Sequence, residues 1–314
     1  MLEHRIAKLA AGATFLLLII GGIVNATGSG LACPEAVIVC HGQFLPKLTA
    51  FDGVLYEHGH RLAAMLVGCL QIALTWMLIV RRPDLKKLAW LLLAMVVAQG
   101  GLGAVTVALK LPWWVATLHL LLAMSYFASL IYTAFVTRAA PSVVELQRHD
   151  ALRKELGTGR TWIAIACGAV FVQLILGALV RHTGAATACL GIPACTPHGD
   201  WWPGETFQQG LQMVHRAFGI VVAIVTTTSA IMVLRRARSW MSLRLLAMIA
   251  PLLVLGQIAL GIFTVLTVRA VPLAVAHFAG AECLWALWMS AFLLTGNRVD
   301  SPTHASALMP AVNT

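Results

Sequence analysis

The sequence contains the same four-segment apolar unit twice, and this duplication restricts the possible folds more than any other feature. Positions of the first half recur in the second at offsets of 155 to 158 residues. The recurring positions are Thr27-Gly28, Cys33, Cys40, His60-Arg61, Gln99, Gly103, Thr106-Val107 and His119, matched by Thr183-Gly184, Cys189, Cys195, His215-Arg216, Gln257, Gly261, Thr264-Val265 and His277. The two halves are therefore expected to share one fold.

Composition places both halves in a membrane. Hydrophobic residues make up 60% of the 314 positions and charged residues 11%, and the apolar runs are long enough to cross a bilayer core of about 30 Å. The predicted spans are 9–27, 59–80, 88–109, 113–137, 161–181, 210–234, 243–267 and 270–294. These runs lack the alternation of barrel strands, and lipid offers no partner for exposed backbone groups, so the spans must be helices. The sequence predicts an all-α protein with eight transmembrane helices.

The predicted domains follow the repeat. Residues 1–137 form one four-helix bundle and 161–296 the other, joined by a charged linker at 138–160 and followed by a tail at 297–314. Four spans per half give both repeats the same orientation, so we expect a pseudo-twofold axis along the membrane normal.

The basic residues indicate the orientation of the chain. Of the 22 Lys and Arg residues, 16 fall on one side of the predicted spans, the side that also holds both termini and the linker. Lys and Arg in short loops are retained in the cytoplasm, so both termini are predicted to be cytoplasmic. The net charge of +10 is then a topology signal, and no nucleic-acid partner is expected because no soluble domain presents a basic patch.

Two cysteine pairs lie in the loops on the opposite side. Cys33 and Cys40 fall in the loop after the first span, and Cys189 and Cys195 in the loop after the fifth. An oxidising exterior permits a disulfide within each loop, and we predict both bonds. Reduced thiols or a zinc site are the alternatives, but the spacing matches no zinc motif.

Four histidines occupy equivalent positions near the outer ends of even-numbered spans. They are His60 and His119 in the first half, and His215 and His277 in the second. Neutral imidazole is a common axial ligand of haem iron, and a pair on neighbouring helices can bind it from opposite faces. Copper and zinc are less favoured because each half offers only two of these histidines and no nearby quartet of cysteine or carboxylate ligands. The pattern predicts two haem sites.

The halves differ one helical turn outside the first histidine of each pair. Glu57 precedes His60 by three residues, on the same helical face, whereas Gln212 holds this place in the second half. A carboxylate there could be solvated or paired with Arg61. It could also mark the half in which bonds change, since a base is needed only there. Arg61 and Arg216 are candidate partners for haem propionates.

These residues together resemble the haem A synthase family. The resemblance covers residues 5–296 and rests on Thr27-Gly28-Ser29-Gly30-Leu31-Ala32-Cys33-Pro34, Glu57-x-x-His60-Arg61, His119, His215-Arg216 and His277. Two departures are visible. The first cysteine loop reads Glu35-Ala36-Val37-Ile38-Val39 instead of containing an acidic-Trp-Pro sequence, and Asn25 stands where the second half has Arg181.

The resemblance implies oxidation of the C8 methyl group of haem O to a formyl group by two successive hydroxylations. It implies haem O between His60 and His119, a permanent haem b between His215 and His277, and Glu57 as the catalytic residue that accepts a proton or stabilises positive charge. It also implies a bacterial inner-membrane location among lipid, with haem O synthase and an electron-transfer protein as further partners.

Two other functions fit part of the pattern. A dihaem b electron carrier linked to quinol would need the four histidines but gives no reason for a carboxylate in one half only. A transporter would use the histidines as proton relays. No Gly-rich dinucleotide loop follows a strand, so a hydride-carrying cofactor is not expected.

Overall fold

The computed structural model describes residues 2–35, 38–47, 53–139, 142–202 and 204–296. These residues form nine α-helices, which are α1 Leu2–Ala26, α2 Val54–Arg81, α3 Lys86–Ala108, α4 Trp113–Val136, α5 Val143–Leu156, α6 Gly159–His182, α7 Phe207–Arg236, α8 Met241–Leu266 and α9 Val271–Leu294. All except α5 are long and apolar enough to cross a membrane. The prediction of an all-α protein with eight transmembrane helices is confirmed, and the predicted tail at 297–314 lies outside the described residues.

Several helices begin earlier than the apolar runs indicated. Helix α2 begins at Val54. The predicted span began later because the first turn of the helix contains polar residues, which lower its hydropathy. Helix α7 begins at Phe207, where Thr206 and Gln209 form a reciprocal capping box. The same mechanism orders the linker, in which Ser142 caps α5. A helix that packs against α6 and α7 therefore occupies much of the segment predicted only as a linker.

The helix contacts follow the repeat. Helices α1 to α4 pack as a ring of neighbours in the order α1, α2, α3, α4, and α6 to α9 pack in the same way. Between the halves, α1 contacts α9, α4 contacts α6, and α4 contacts α9. Exchanging α1 with α6 and α4 with α9 leaves this set of contacts unchanged, as a twofold relation requires.

The largest core of buried side chains lies at the seam between the halves. It joins Phe127 of α4 to Val170 of α6 and to Trp285 and Trp288 of α9. A smaller core, containing Leu74 of α2 among others, lies within the first half. Since lipid is as apolar as these side chains, close packing rather than escape from water stabilises the contact.

Candidate functional site

The four predicted histidines come together as two pairs, one in each half. His60 on α2 lies within electrostatic range of His119 on α4, and His215 on α7 lies within range of His277 on α9. Each residue is half-buried, so part of its surface remains accessible. The Nδ1 atom of all four is buried without a hydrogen bond of good geometry among the described residues.

Each imidazole lies against a glycine of the preceding helix. A Cβ at Gly21 would be 3.1 Å from Cε1 of His60, and one at Gly177 would be 3.3 Å from Cε1 of His215. The second histidine of each pair also lies against a glycine. A Cβ at Gly103 would be 3.2 Å from Cε1 of His119, and one at Gly261 would be 3.3 Å from Cε1 of His277. Any larger residue would move the ring, so the glycines fix the position of the ligands.

Backbone carbonyls lie beside three of the four imidazole rings. These are the backbone carbonyls of Leu17, Gln99 and Gln257, which lie beside the rings of His60, His119 and His277, respectively. A backbone carbonyl beside one ring nitrogen typically orients the imidazole so that the other nitrogen can bind metal.

Two glutamines hold the backbone of the histidine-bearing helices. The Gln99 amide donates to the carbonyl of His119 at 2.9 Å, and the Gln173 amide donates to the carbonyl of His215 at 3.0 Å. Sequence reasoning missed the roles of these glutamines and of the four glycines. The recurrence of Gly21 as Gly177, 156 residues later, was the available signal.

The Glu57 carboxylate, at the start of α2, contacts the first cysteine loop. Cys33 and Cys40 are joined with an S–S distance of 2.00 Å. Oε2 of Glu57 accepts a hydrogen bond from the Cys33 amide at 2.7 Å, and Oε1 accepts one from Arg61 at 2.5 Å. Glu57 is only 3% exposed, so its carboxylate holds the loop against the start of α2.

Gln212 makes the equivalent contact in the second half. Cys189 and Cys195 are joined with an S–S distance of 1.96 Å. Oε1 of Gln212 accepts from the Cys189 amide at 2.6 Å, and its Nε2 donates to the carbonyl of Ala186 at 3.2 Å. Both loops are thus fixed to their helix by one side chain at the same repeat position.

Arg61 and Arg216 also bind these loops. Arg61 donates to the carbonyls of Glu35 and Cys33 at 2.6 and 3.1 Å. Arg216 donates to the carbonyls of Gly191 and Cys189, both at 2.8 Å. These donors bind loop carbonyls, and the contact of the two arginines with haem propionates stays a prediction.

The first loop also contains an ionised side chain at its outer surface. The Glu35 carboxylate accepts hydrogen bonds from the amides of Gly42 and His41 at 2.8 and 3.0 Å. Backbone hydrogen bonds, its own amide first, hold the pKa of Glu35 below its ordinary value. The sequence departure at 35–39 therefore still supplies a carboxylate that orders the described part of the loop.

Asn25, at the position where the second half has Arg181, is contacted by an arginine of the second half. Arg269, in the loop before α9, donates to the backbone oxygen and to Oδ1 of Asn25 at 2.9 and 3.0 Å. Arg181, the repeat equivalent of Asn25, donates to the carbonyls of Gly21 and Gly22 at 3.2 and 3.1 Å. Charged residues of the second half thus contact α1 beside His60.

The donor set of each pair fits haem. Two imidazoles within each four-helix ring, each lying against a glycine and with a buried Nδ1 atom that lacks a hydrogen bond, match the ligands of a bis-histidine haem. Among the described residues, Cys33, Cys40 and His58 also lie close together, within 4.8 Å. They do not fit a metal, because the two sulfurs are bonded to each other and the His58 ring is hydrogen-bonded to the carbonyl of Phe44 at 2.8 Å.

Comparison with known proteins agrees with this geometry. The family described as cytochrome oxidase assembly protein, COX15-CtaA, matches residues 4–289. The chain belongs to this family.

Individual relatives carry a more specific name. A heme A synthase of Shouchella clausii is 32% identical over 273 residues, covering 85% of this chain and 87% of the relative. One of Bacillus licheniformis is 29% identical, covering 88% of this chain and 90% of the relative. One of Geobacillus kaustophilus is 28% identical, covering 96% of both chains. The residues matched by the family, 4–289, span both halves and include the positions of all four histidines.

Proposed function

We propose that this protein is a haem A synthase, a multi-pass membrane oxidoreductase that converts the C8 methyl group of haem O to a formyl group by two successive hydroxylations. The observation that carries the proposal is the pair of imidazoles in each half, each lying against a glycine, in a chain whose relatives bear that name. The product would supply haem A to terminal oxidases. The relatives' names do not favour the alternative of a dihaem electron carrier.

The two sites have different roles. Substrate haem O is held between His60 and His119, and a resident haem b between His215 and His277. The assignment follows the asymmetry of the loops, since the side chain that binds the cysteine loop is a carboxylate, Glu57, in the first half and an amide, Gln212, in the second. Haem iron supplies the redox chemistry when bound.

Glu57 is the group that we assign to proton transfer. Its oxygens accept hydrogen bonds from the Cys33 amide and from Arg61, and it lies one helical turn outward from His60. A carboxylate there can accept a proton released during methyl oxidation or stabilise positive charge, whereas the amide of Gln212 cannot accept one.

The surroundings of the sites follow from the same proposal. The halves at 1–137 and 161–296 each enclose one haem, and the linker and both termini lie in the cytoplasm of a bacterial cell. The cysteine loops then face the oxidising side, where their disulfides persist. Haem O synthase and an electron-transfer protein are the partners that such a reaction requires.

Conversion of haem O in cells tests the proposal. A host that makes haem O but no haem A should accumulate haem A when it expresses the wild-type chain. His60→Ala and His119→Ala should abolish haem A because the substrate loses a ligand. His149→Ala, in α5 against Trp240, is the matched control and should retain conversion. Absence of haem A from wild-type cells containing folded, haem-loaded protein would contradict the assignment.

A further inference from the structure

Glu282 is a carboxyl group that the reaction described so far does not use. It is fully buried within the membrane-spanning helix α9, and neither Oε1 nor Oε2 has a hydrogen-bond partner among the described residues. An ionised carboxylate is costly in such surroundings, and ionisable residues inside membrane segments usually mark a path of protons or charge. Its repeat equivalent on α4 is Met124, so the carboxyl group belongs to one half only.

The face of α9 that carries Glu282 lies at the seam between the halves. Phe278 is one turn away on this face, and a Cβ at Gly22 of α1 would be only 2.8 Å from its ring. Trp285, three residues beyond Glu282, donates to the carbonyl of Met124 on α4 at 3.3 Å. Glu282 therefore lies where α9 meets both α1 and α4.

Arg181 connects this position with both histidine pairs. It donates to the carbonyl of Gly21, the glycine that lies against His60. Its guanidinium also lies 4.5 Å from the ring centroid of Phe278, the residue after His277. Arg181 acts electrostatically on Glu282 without a hydrogen bond to it. The Glu282 carboxyl group and its charge partner thus lie between the two candidate haem sites.

Two opposing effects determine the charge of Glu282. Burial disfavours the carboxylate, and Arg181 of α6 favours it. Among the described residues of the elements packed against α9, no other charged group from α1, α4, α6 or α8 acts on it. Arg269 acts on Arg181 rather than on the carboxyl group, and Cys283 is the titratable neighbour on α9 itself. A change in charge nearby can therefore change its protonation.

We propose that Glu282 binds a proton when the haem of the second half is reduced and releases it when that haem is reoxidised. With a haem held by His215 and His277, the step would balance, because a one-electron donor would supply the electron while one proton from water joined a Glu282 oxygen. Reoxidation returns both. The net charge at the seam then stays constant, which allows electrons to move between the halves without an uncompensated charge in the membrane. This proposal rests on the proposed function, which places a haem between His215 and His277.

The reduction potential of the retained haem, measured against pH, tests this coupling. One proton per electron changes the reduction equilibrium by up to about tenfold per pH unit. We expect the wild-type potential to fall as pH rises, and Glu282→Gln to lose most of this dependence. Glu155→Gln is the matched control, because the Glu155 carboxylate of α5 binds the amide of Arg238 outside the membrane spans, and it should retain the wild-type dependence.

Infrared difference spectra of the reduced and oxidised protein provide a second measurement. A carboxylic acid C=O band should appear on reduction in the wild type and in Glu282→Asp, which keeps the acid if Glu282→Gln does not fold. An unchanged pH dependence in folded Glu282→Gln, or no band in the wild type, overturns the coupling alone. A wild-type protein that retains no haem overturns the coupling and the resident-haem assignment together.

Discussion

The loops above the two histidine pairs are fixed in the same way, but only the first is fixed by a carboxylate. Glu57 and Gln212 occupy equivalent positions, and each accepts a hydrogen bond from the amide of the first cysteine in its loop. A neutral amide is therefore sufficient for the structural contact. The contact does not require the negative charge of Glu57, which is paired with Arg61, and we propose that this charge distinguishes the reacting site from the cofactor site.

The largest expected difference between the halves concerns the histidines. His215→Ala and His277→Ala should remove most of the resident haem b, and the low-spin optical spectrum of the purified protein should disappear. His60→Ala and His119→Ala should leave that spectrum intact and abolish haem A formation. Loss of the resident haem from His60→Ala, with full retention by His215→Ala, would show that the assignments of the two halves are reversed.

Exchanging the loop residues should have the next largest effect. Glu57→Gln copies Gln212, so the Cys33 contact and the resident haem b should survive while the rate of haem A formation falls by about 10²–10⁴-fold, as expected on loss of a general base. Gln212→Glu is the matched control, and we expect its rate to stay close to wild type. Haem extracts from cells would then contain haem O or its alcohol in place of haem A for Glu57→Gln only. A wild-type yield from that variant would remove Glu57 from the chemistry.

A smaller effect is expected from the glycines beneath the histidines. Gly177→Ala should displace His215 by a few tenths of an ångström and lower haem affinity by about 10–100-fold, as changes to residues that orient metal ligands typically do. Gly21→Ala should instead slow haem O conversion with little effect on the resident haem. Gly12→Ala and Gly168→Ala are the matched controls, nine residues earlier on the same helices, because a Cβ at either would meet no atom within 4 Å. Equal effects at all four positions would indicate helix distortion instead of ligand displacement.

The smallest expected differences concern the disulfides. Closing loops of 7 and 6 residues stabilises by about 2–3 kcal/mol in the chain-entropy model. Cys33→Ser with Cys40→Ser, and Cys189→Ser with Cys195→Ser, should therefore lower thermal stability by similar amounts. The first pair should also slow haem A formation because it loosens the Glu57 contact, and the second should mainly weaken haem retention. Thermal unfolding and haem content measured on the same samples separate these outcomes.

The spans and the pairing of the histidines were predictable from the sequence because both depend on periodic or repeated patterns. Long apolar runs identify helices in lipid, and the repeat that relates His60 to His215 also relates the glycines beside them, at an offset that differs by one residue. The starts of α2 and α7 were not predictable in this way. Their first turns contain polar residues such as Glu57 and Gln209, whose partners lie in loops or caps that hydropathy does not register.

The orientation of Glu57 depended on tertiary structure. Its spacing of three residues from His60 predicted a shared helical face but could not identify the partner of the carboxylate. The structure pairs it with Arg61, four residues away, and with a loop amide 24 residues earlier in the chain. Likewise, the isolated Glu282 gave no periodic signal, and its significance arises only from the seam in which it is buried.

The haem content of the purified wild-type protein tests most directly whether the duplicated histidine pairs form two unlike sites. Haems extracted from protein made in cells that synthesise haem O should include one haem B per chain together with haem O, its oxidised intermediates or haem A. Removing His119 should eliminate the second group and leave the haem B. Haem B alone, at two per chain, would contradict unlike sites and indicate a dihaem electron carrier.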